Sequence, residues 1–103
     1  MSSQRKDRVV HRTSQFKSDL SSAKSHRKCD FGALILAMNN IVARKKLDAA
    51  LLDHPLQGKY PKTRDGKTDC RECHTSNDWL LVYRLPDDDS AIFIRTGTHA
   101  ELF

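Results

Sequence analysis

The chain reads as α+β, with two helices near the start and an antiparallel sheet after them. Three observations predict this. Apolar residues recur at helical spacing over residues 14–46, they alternate or run together over residues 70–97, and the turn-forming residues Gly, Pro and Asp gather between these regions. A chain of 103 residues is expected to form one domain, 1–103, with a modest core. No stretch approaches the roughly 18 consecutive apolar residues of a membrane span, so no membrane role is expected.

Val9-Val10-His11 is a short candidate strand. Phe16, Leu20, Ala23 and Arg27 follow at helical spacing, with Ser14 as the N-cap candidate. Asp30 is the predicted cap of a second, more apolar helix built on Phe31, Leu34, Ile35, Met38, Ile41 and Val42. Arg44-Lys45-Lys46 is expected in its last turn, where cations complement the helix dipole. Leu47–Leu52 reads as a short extra turn of helix or a loop. Asp53-His54 precedes Pro55 and is therefore extended. Residues 58–68 read as a long loop. Cys70–Thr75 is a strand, and Trp79–Leu85 is apolar on both alternating sets, as a central strand should be. Pro86–Ser90 turns the chain, with Asp87-Asp88-Asp89 at the turn. Ala91–Thr96 follows, with Ile92 and Ile94 on one face and Ala91, Phe93 and Arg95 on the other. The helices are expected to cover one sheet face and leave the other open, with Arg95 directed to the open side.

Charge is unevenly spread. Residues 1–62 carry thirteen Lys/Arg and five Asp/Glu, a net +8. Residues 63–103 carry five and eight, a net −3, and the two sum to +5. Basic clusters of this kind suit a polyanion such as nucleic acid. The three cysteines, with no export signal visible at the N-terminus, are expected as reduced thiols in the cytoplasm. Cys70-Arg-Glu-Cys73-His74 matches C-x-x-C-H, but strand alternation sends the two cysteines to opposite faces. They are therefore read as ordinary strand residues, and no metal or cofactor is expected.

His54, His74 and His99 each lie beside a turn or strand end, with Asp78 and Arg95 in the same half of the chain. Histidine exchanges protons near neutral pH, and arginine stabilises a phosphorane through charge-assisted hydrogen bonds. Base, acid and cation together are what RNA cleavage through the ribose 2′-OH requires. Spacing alone does not show that these residues converge.

Four blocks carry a resemblance: His54-Pro-Leu-Gln-Gly58, Arg71-Glu-Cys-His74, Asp78-Trp-Leu-Leu-Val-Tyr83, and Arg95-Thr-Gly-Thr-His-Ala-Glu-Leu-Phe103. In this order they resemble the YafQ branch of the RelE/ParE toxin superfamily. The resemblance is strong over residues 54–103 and rests on basic, helical character before that. It implies a RelE-like fold, two N-terminal helices on one face of a twisted antiparallel sheet. It implies a ribosome-dependent endoribonuclease that cuts mRNA in the A site, against 16S rRNA, as the toxin of a type II toxin–antitoxin pair. It implies a DinJ- or RelB-like antitoxin as partner, with operator DNA reached only through that complex.

The site residues it implies are His54, His74, Asp78, Trp79, Arg95, His99 and Phe103, with Trp79 and Phe103 on the substrate; Arg71 and Lys59 are further substrate-binding candidates. His99 is the candidate acid. Asp78 or His74 is the candidate base, with His54 positioning or sharing that role, and Arg95 steadies the phosphate. Trp79 is read either as a base-stacking wall or as core. The loop 60–69 is longer than in typical relatives, and Asn77 stands where they commonly have proline. A non-catalytic basic nucleic-acid-binding module and a ParE-like gyrase inhibitor are the alternatives.

Overall fold

The computed structural model describes residues 6–56, 70–76 and 78–103. The expected loop at 58–68, its extra length at 60–69, Lys59 and Asn77 lie outside the described residues. In order the elements are β1 (Val9–Arg12), α1 (Ser14–Ala23), α2 (Phe31–Val42), a 3₁₀ turn (Ala49–Leu51), β2 (His54–Pro55), β3 (Cys70–Ser76), β4 (Trp79–Arg84), β5 (Ser90–Gly97) and α3 (His99–Leu102). The five strands form one sheet in the order β1-β5-β4-β3-β2. No described helix is long and apolar enough to cross a membrane.

The sheet is mixed rather than antiparallel throughout. β1 runs parallel to β5, from Val9 opposite Ser90 to Arg12 opposite Phe93, while the other pairs are antiparallel. The reason lies in the connection. A strand that leaves through two helices can return to the far side of the sheet, where a parallel partner is available. β4 sits at the centre, and its first five residues are buried, as its two-sided apolar pattern predicts.

The helices cover one face. Phe16, Ala23, Leu34, Ala37 and Ile41 pack on Cys73, Trp79, Leu81, Tyr83, Ala91 and Phe93. The rings of Phe16 and Phe93 stack at 5.5 Å between centroids, a contact worth about 0.5–1.5 kcal/mol beyond the area it buries. The other face carries a smaller cluster: Leu56, Cys70, Leu80, Val82 and Leu102, with Ile94 against it.

Helix ends follow local chemistry, with two departures from expectation. Thr13, not Ser14, caps α1. Its hydroxyl accepts from Phe16 N at 3.0 Å and donates to Ile94 O at 2.8 Å, so one side chain starts the helix and ties it to β5. Asp30 caps α2 as expected, accepting from Ala33 N at 3.0 Å. α2 stops at Val42, however, so Arg44-Lys45-Lys46 lies beyond the helix. Arg44 takes a left-handed conformation (φ 63°), costly for a residue with a side chain by roughly 1–2 kcal/mol. In return its guanidinium donates to Lys6 O, Asp88 O and Asp89 Oδ1 and closes the chain's start onto the β4–β5 turn.

Thr13→Ala is expected to lower the unfolding free energy by about 1 kcal/mol in urea titration, while Ser14→Ala changes it by less than about 0.5 kcal/mol. The reverse order would return the cap to Ser14.

Candidate active site

Two irregularities aim the polar side chains. On β5 the register slips between Val82 and Tyr83, which face Arg95 and Phe93, so Ile94 is an extra residue. Strict alternation groups Arg95 with Ala91 and Phe93. The bulge puts Arg95 in register with Val82, on the open side expected for it, while Ala91 and Phe93, expected beside it, lie under the helices. A second slip falls between His74 and Ser76 on β3, leaving His74 opposite Leu80.

Register then defines two rows across the bare face. One runs His54–Glu72–Val82–Arg95, and the next runs His74–Leu80–Gly97. Neighbouring strands lie about 4.8 Å apart and alternate residues on one strand about 6.6 Å apart. His54, His74 and Arg95 therefore lie on the same face, with His54 and Arg95 three strands, roughly 14 Å, apart at the backbone and His74 one row away. His54 Nε2 lies 3.3 Å from Glu72 Oε1, and its Nδ1 is 3.0 Å from Pro55 O. Both ring nitrogens thus meet oxygen atoms. The His74 Nδ1 atom is buried and meets no hydrogen-bond partner among the described residues.

Arg95 is held from α1. Its Nε donates to Asp19 Oδ2 at 2.7 Å and its Nη2 to Asp19 Oδ1 at 3.2 Å, a bidentate pair that fixes the guanidinium plane. Asp19 Oδ2 also accepts from Thr96 N at 3.1 Å.

α3 follows directly on β5. Thr98 and Glu101 form a reciprocal capping box, with Thr98 N donating to Glu101 Oε1 at 2.8 Å. These bonds to Thr98 hold the Glu101 carboxyl below its ordinary range. That contribution is full above the ordinary carboxylate range and is lost as pH falls through the lowered value. Leu102 is buried against the bare-face cluster, which fixes where His99 and Phe103 stand. Their rings lie 5.1 Å apart, and both side chains are exposed. A Cβ on Gly97 would sit 3.2 Å from Leu102 Cδ2 and 3.3 Å from Glu101 Oε1, so glycine lets α3 fold back this closely.

Trp79 and Arg71 stand on the other face. Trp79 is a core residue, 2% exposed on the helix-covered side. Its Nε1 donates to Thr96 Oγ1 at 2.7 Å and its ring meets His26 edge-on, so the stacking role does not fit. Arg71 faces Tyr83 in register, also on the helix-covered side. It donates to Asp53 Oδ2 from Nη2 at 2.9 Å, and that bond pushes its pKa up. It is not on the face with the histidines. Asp78 lies between β3 and β4, half exposed, 3.5 Å from Lys28 Nζ.

Cys70 and Cys73 belong to clusters on opposite faces, so C-x-x-C-H does not converge. Among the described residues no group of three or more His, Cys, Asp and Glu gathers as metal ligands. Burial pushes the Cys73 thiol up to about 12, and burial also raises Cys29.

Glu72 and Asp19 are the functional candidates that sequence reading missed. Glu72 was legible: alternation from Cys70 through His74 places it on the histidine's face. Asp19 was not, because its partner is 76 residues away.

A small mixed sheet backed by two helices, with histidines and an arginine on its bare face and a capped C-terminal turn beside them, is the architecture of small α+β toxins. Residues 8–103 match the family described as bacterial toxin of type II toxin–antitoxin system, YafQ, and the chain belongs to that family. It is 35% identical over 97 residues to the mRNA interferase toxin YafQ of Escherichia coli K12, covering 93% of this chain and 96% of that one. YafQ in the E. coli DinJ–YafQ toxin–antitoxin complex superposes with a TM-score of 0.78 at 34% identity, over 94% of this chain and 98% of that one. A metal-bound toxin from Helicobacter pylori gives 0.73 at 29% identity, over 92% and 98%.

Iodoacetamide at pH 8 is expected to modify Cys29 slowly and to leave Cys70 and Cys73 intact in the folded protein, with all three reacting in guanidinium. Both core cysteines are 0% exposed, and a thiol raised to about 12 stays protonated at that pH. Mass spectrometry reads the outcome, and rapid modification of Cys73 in the native state would contradict the packing.

Proposed function

We propose that the chain is an mRNA interferase. On this reading one domain, 1–103, acts as a cytoplasmic toxin that cuts mRNA in the ribosomal A site and is neutralised by a cognate antitoxin. The observation that carries the reading is the placement of His54, His74 and Arg95 on one face of the sheet, with His99 on α3 directly after β5. Family membership and the names of the E. coli relatives support it. Operator DNA would be met through the antitoxin complex.

The chemistry follows from the groups present. His74 or Asp78 takes the proton of the ribose 2′-OH, and the 2′-oxygen attacks the adjacent phosphorus. Arg95, its plane fixed by Asp19, stabilises the charge on the phosphorane. His99 protonates the departing 5′-oxygen. The products are a 2′,3′-cyclic phosphate and a 5′-hydroxyl. Side chains supply both proton transfers and the positive charge, so the scheme needs no metal ion. His54, held against Glu72, orients the phosphate. Phe103 lies against His99 and offers an exposed ring to a base.

His99→Ala is expected to slow cleavage of ribosome-engaged mRNA by about 100-fold or more, read by primer extension, with circular dichroism unchanged. Full cleavage by that variant would remove the acid assignment. Growth arrest by the wild-type chain without any cut in mRNA would favour the gyrase-inhibitor alternative. Asp19→Asn is expected to lower cleavage about 10-fold or more by freeing Arg95 to misalign, with a larger effect on kcat than on KM. Single-turnover kinetics separates the two.

A further inference from the structure

His26 has no part in the catalytic scheme, yet it ties the connection between α1 and α2 to both β4 and α3. It is partly buried, and the backbone fixes it from both sides. Its N–H donates to Ala23 O at 3.2 Å, and its carbonyl accepts from Cys29 N at 3.0 Å. The imidazole then meets three groups. It packs edge-on against the Trp79 ring, 4.9 Å between centroids. Its Nδ1 accepts from Lys28 N at 3.1 Å. A ring nitrogen that accepts carries no proton, so the ring N–H is on Nε2. That nitrogen stands 3.7 Å from Glu101 Oε2.

Trp79 gives the imidazole a rigid backing. It is 2% exposed, and its Nε1 donates to Thr96 Oγ1, which donates in turn to Leu80 O at 2.7 Å. Trp79 is too buried to stack on a base, but through His26 it still bears on α3.

Glu101 is the member of the capping box that His26 faces. α3 is a single turn of four residues, and a helix that short has almost no stability of its own. Its orientation is therefore set by what holds it. Leu102 anchors it to the sheet, and Glu101 is held from the α1–α2 connection. The bonds to Thr98 lead in keeping the Glu101 carboxyl low, His26 adds to them, and Asp19 opposes them. Asp19, which clasps Arg95, thus repels the carboxylate that caps α3, and His26 counters that push. His99 is the first residue of the turn, and its ring lies against Phe103 just beyond the last. A tilt of the turn moves both rings together.

We propose that His26 is a positioning residue for His99, holding Glu101 and through it the turn that carries the proton donor. The inference rests on the reading of His99 as the acid of an RNA-cleaving site.

Initial rates of mRNA cleavage on programmed ribosomes, with the full chain, give kcat and KM. His26→Phe keeps a ring against Trp79 and removes both nitrogens. Glu101→Gln keeps an oxygen for Thr98 N and removes the charge beside His26; the side chain is half exposed, so the core is untouched. Each variant is expected to lower kcat about 10-fold with KM changed by less than about 2-fold. H26F/E101Q is expected to lose no more than the larger single loss, because both changes remove one contact. Wild-type kcat in either single variant would overturn the proposal, and so would a double loss equal to the product of the two. If H26F does not fold by circular dichroism, E101Q carries the kinetic test. Imidazole signals in ¹H–¹³C spectra read the position of His99 without chemistry. They are expected to shift in E101Q and in folded H26F, and unchanged His99 signals would overturn the proposal. If the wild-type chain cuts no mRNA, the nuclease reading falls, and the same signals still decide whether His26 holds the turn.

Discussion

β4 is buried on both faces, and that constraint organises the molecule. A central strand whose residues from Trp79 to Tyr83 are nearly solvent-free needs a cover on each side. The two helices supply the larger one, with Phe16, Leu34 and Ile41 on Leu81 and Tyr83. The second is smaller: Leu56, Cys70, Ile94 and one turn of helix holding Leu102 over Leu80 and Val82. Burying apolar area on both sides stabilises the sheet, at roughly 25 cal/mol per Å². Because the second cover is small, it leaves the edges of that face open. His54 and Arg95 stand on those edges, and His74 stands beside Leu80 in the next row.

The division of polar groups follows from this layering. Among the described residues the bare face carries His54, His74 and Arg95, with Arg84 in register with Cys70 on the same face. The helix-covered face carries a concentration of fixed cations around an apolar floor. A single sheet separates the two. The carboxylates are placed with the same economy. Asp19 aligns Arg95 and also accepts from Thr96 N. Asp53 neutralises Arg71 and accepts from Tyr83, whose hydroxyl is pushed well up by burial first and by that carboxylate second.

Much of the fold was legible because its signals are local. The cap at Asp30 needs only the helix it starts. The two-sided burial of β4 is written in an unbroken apolar run, and the extended backbone at His54 follows from Pro55. Local signals also misled. Ser14 is as good a cap as Thr13 by residue type, and the choice went to the side chain that also reaches Ile94 O. The cations after α2 looked like a helix end until Arg44 turned left-handed to bond the β4–β5 turn.

The sequence by itself determined the α+β class, the central strand, the opposite facing of Cys70 and Cys73, and membership of a toxin family through four short blocks. Those features depend on residue type and spacing within a few positions. Tertiary structure alone decided the parallel pairing of β1 with β5, the inward turn of Trp79, and the separation of Arg71 from the histidines. It also decided the bulge that carries Arg95 to the bare face and the clasp of Asp19 upon it. The reason is physical. A strand's alternation can be read along the chain, but a one-residue slip that reverses which side chain faces outward depends on how partners from distant segments pack against it.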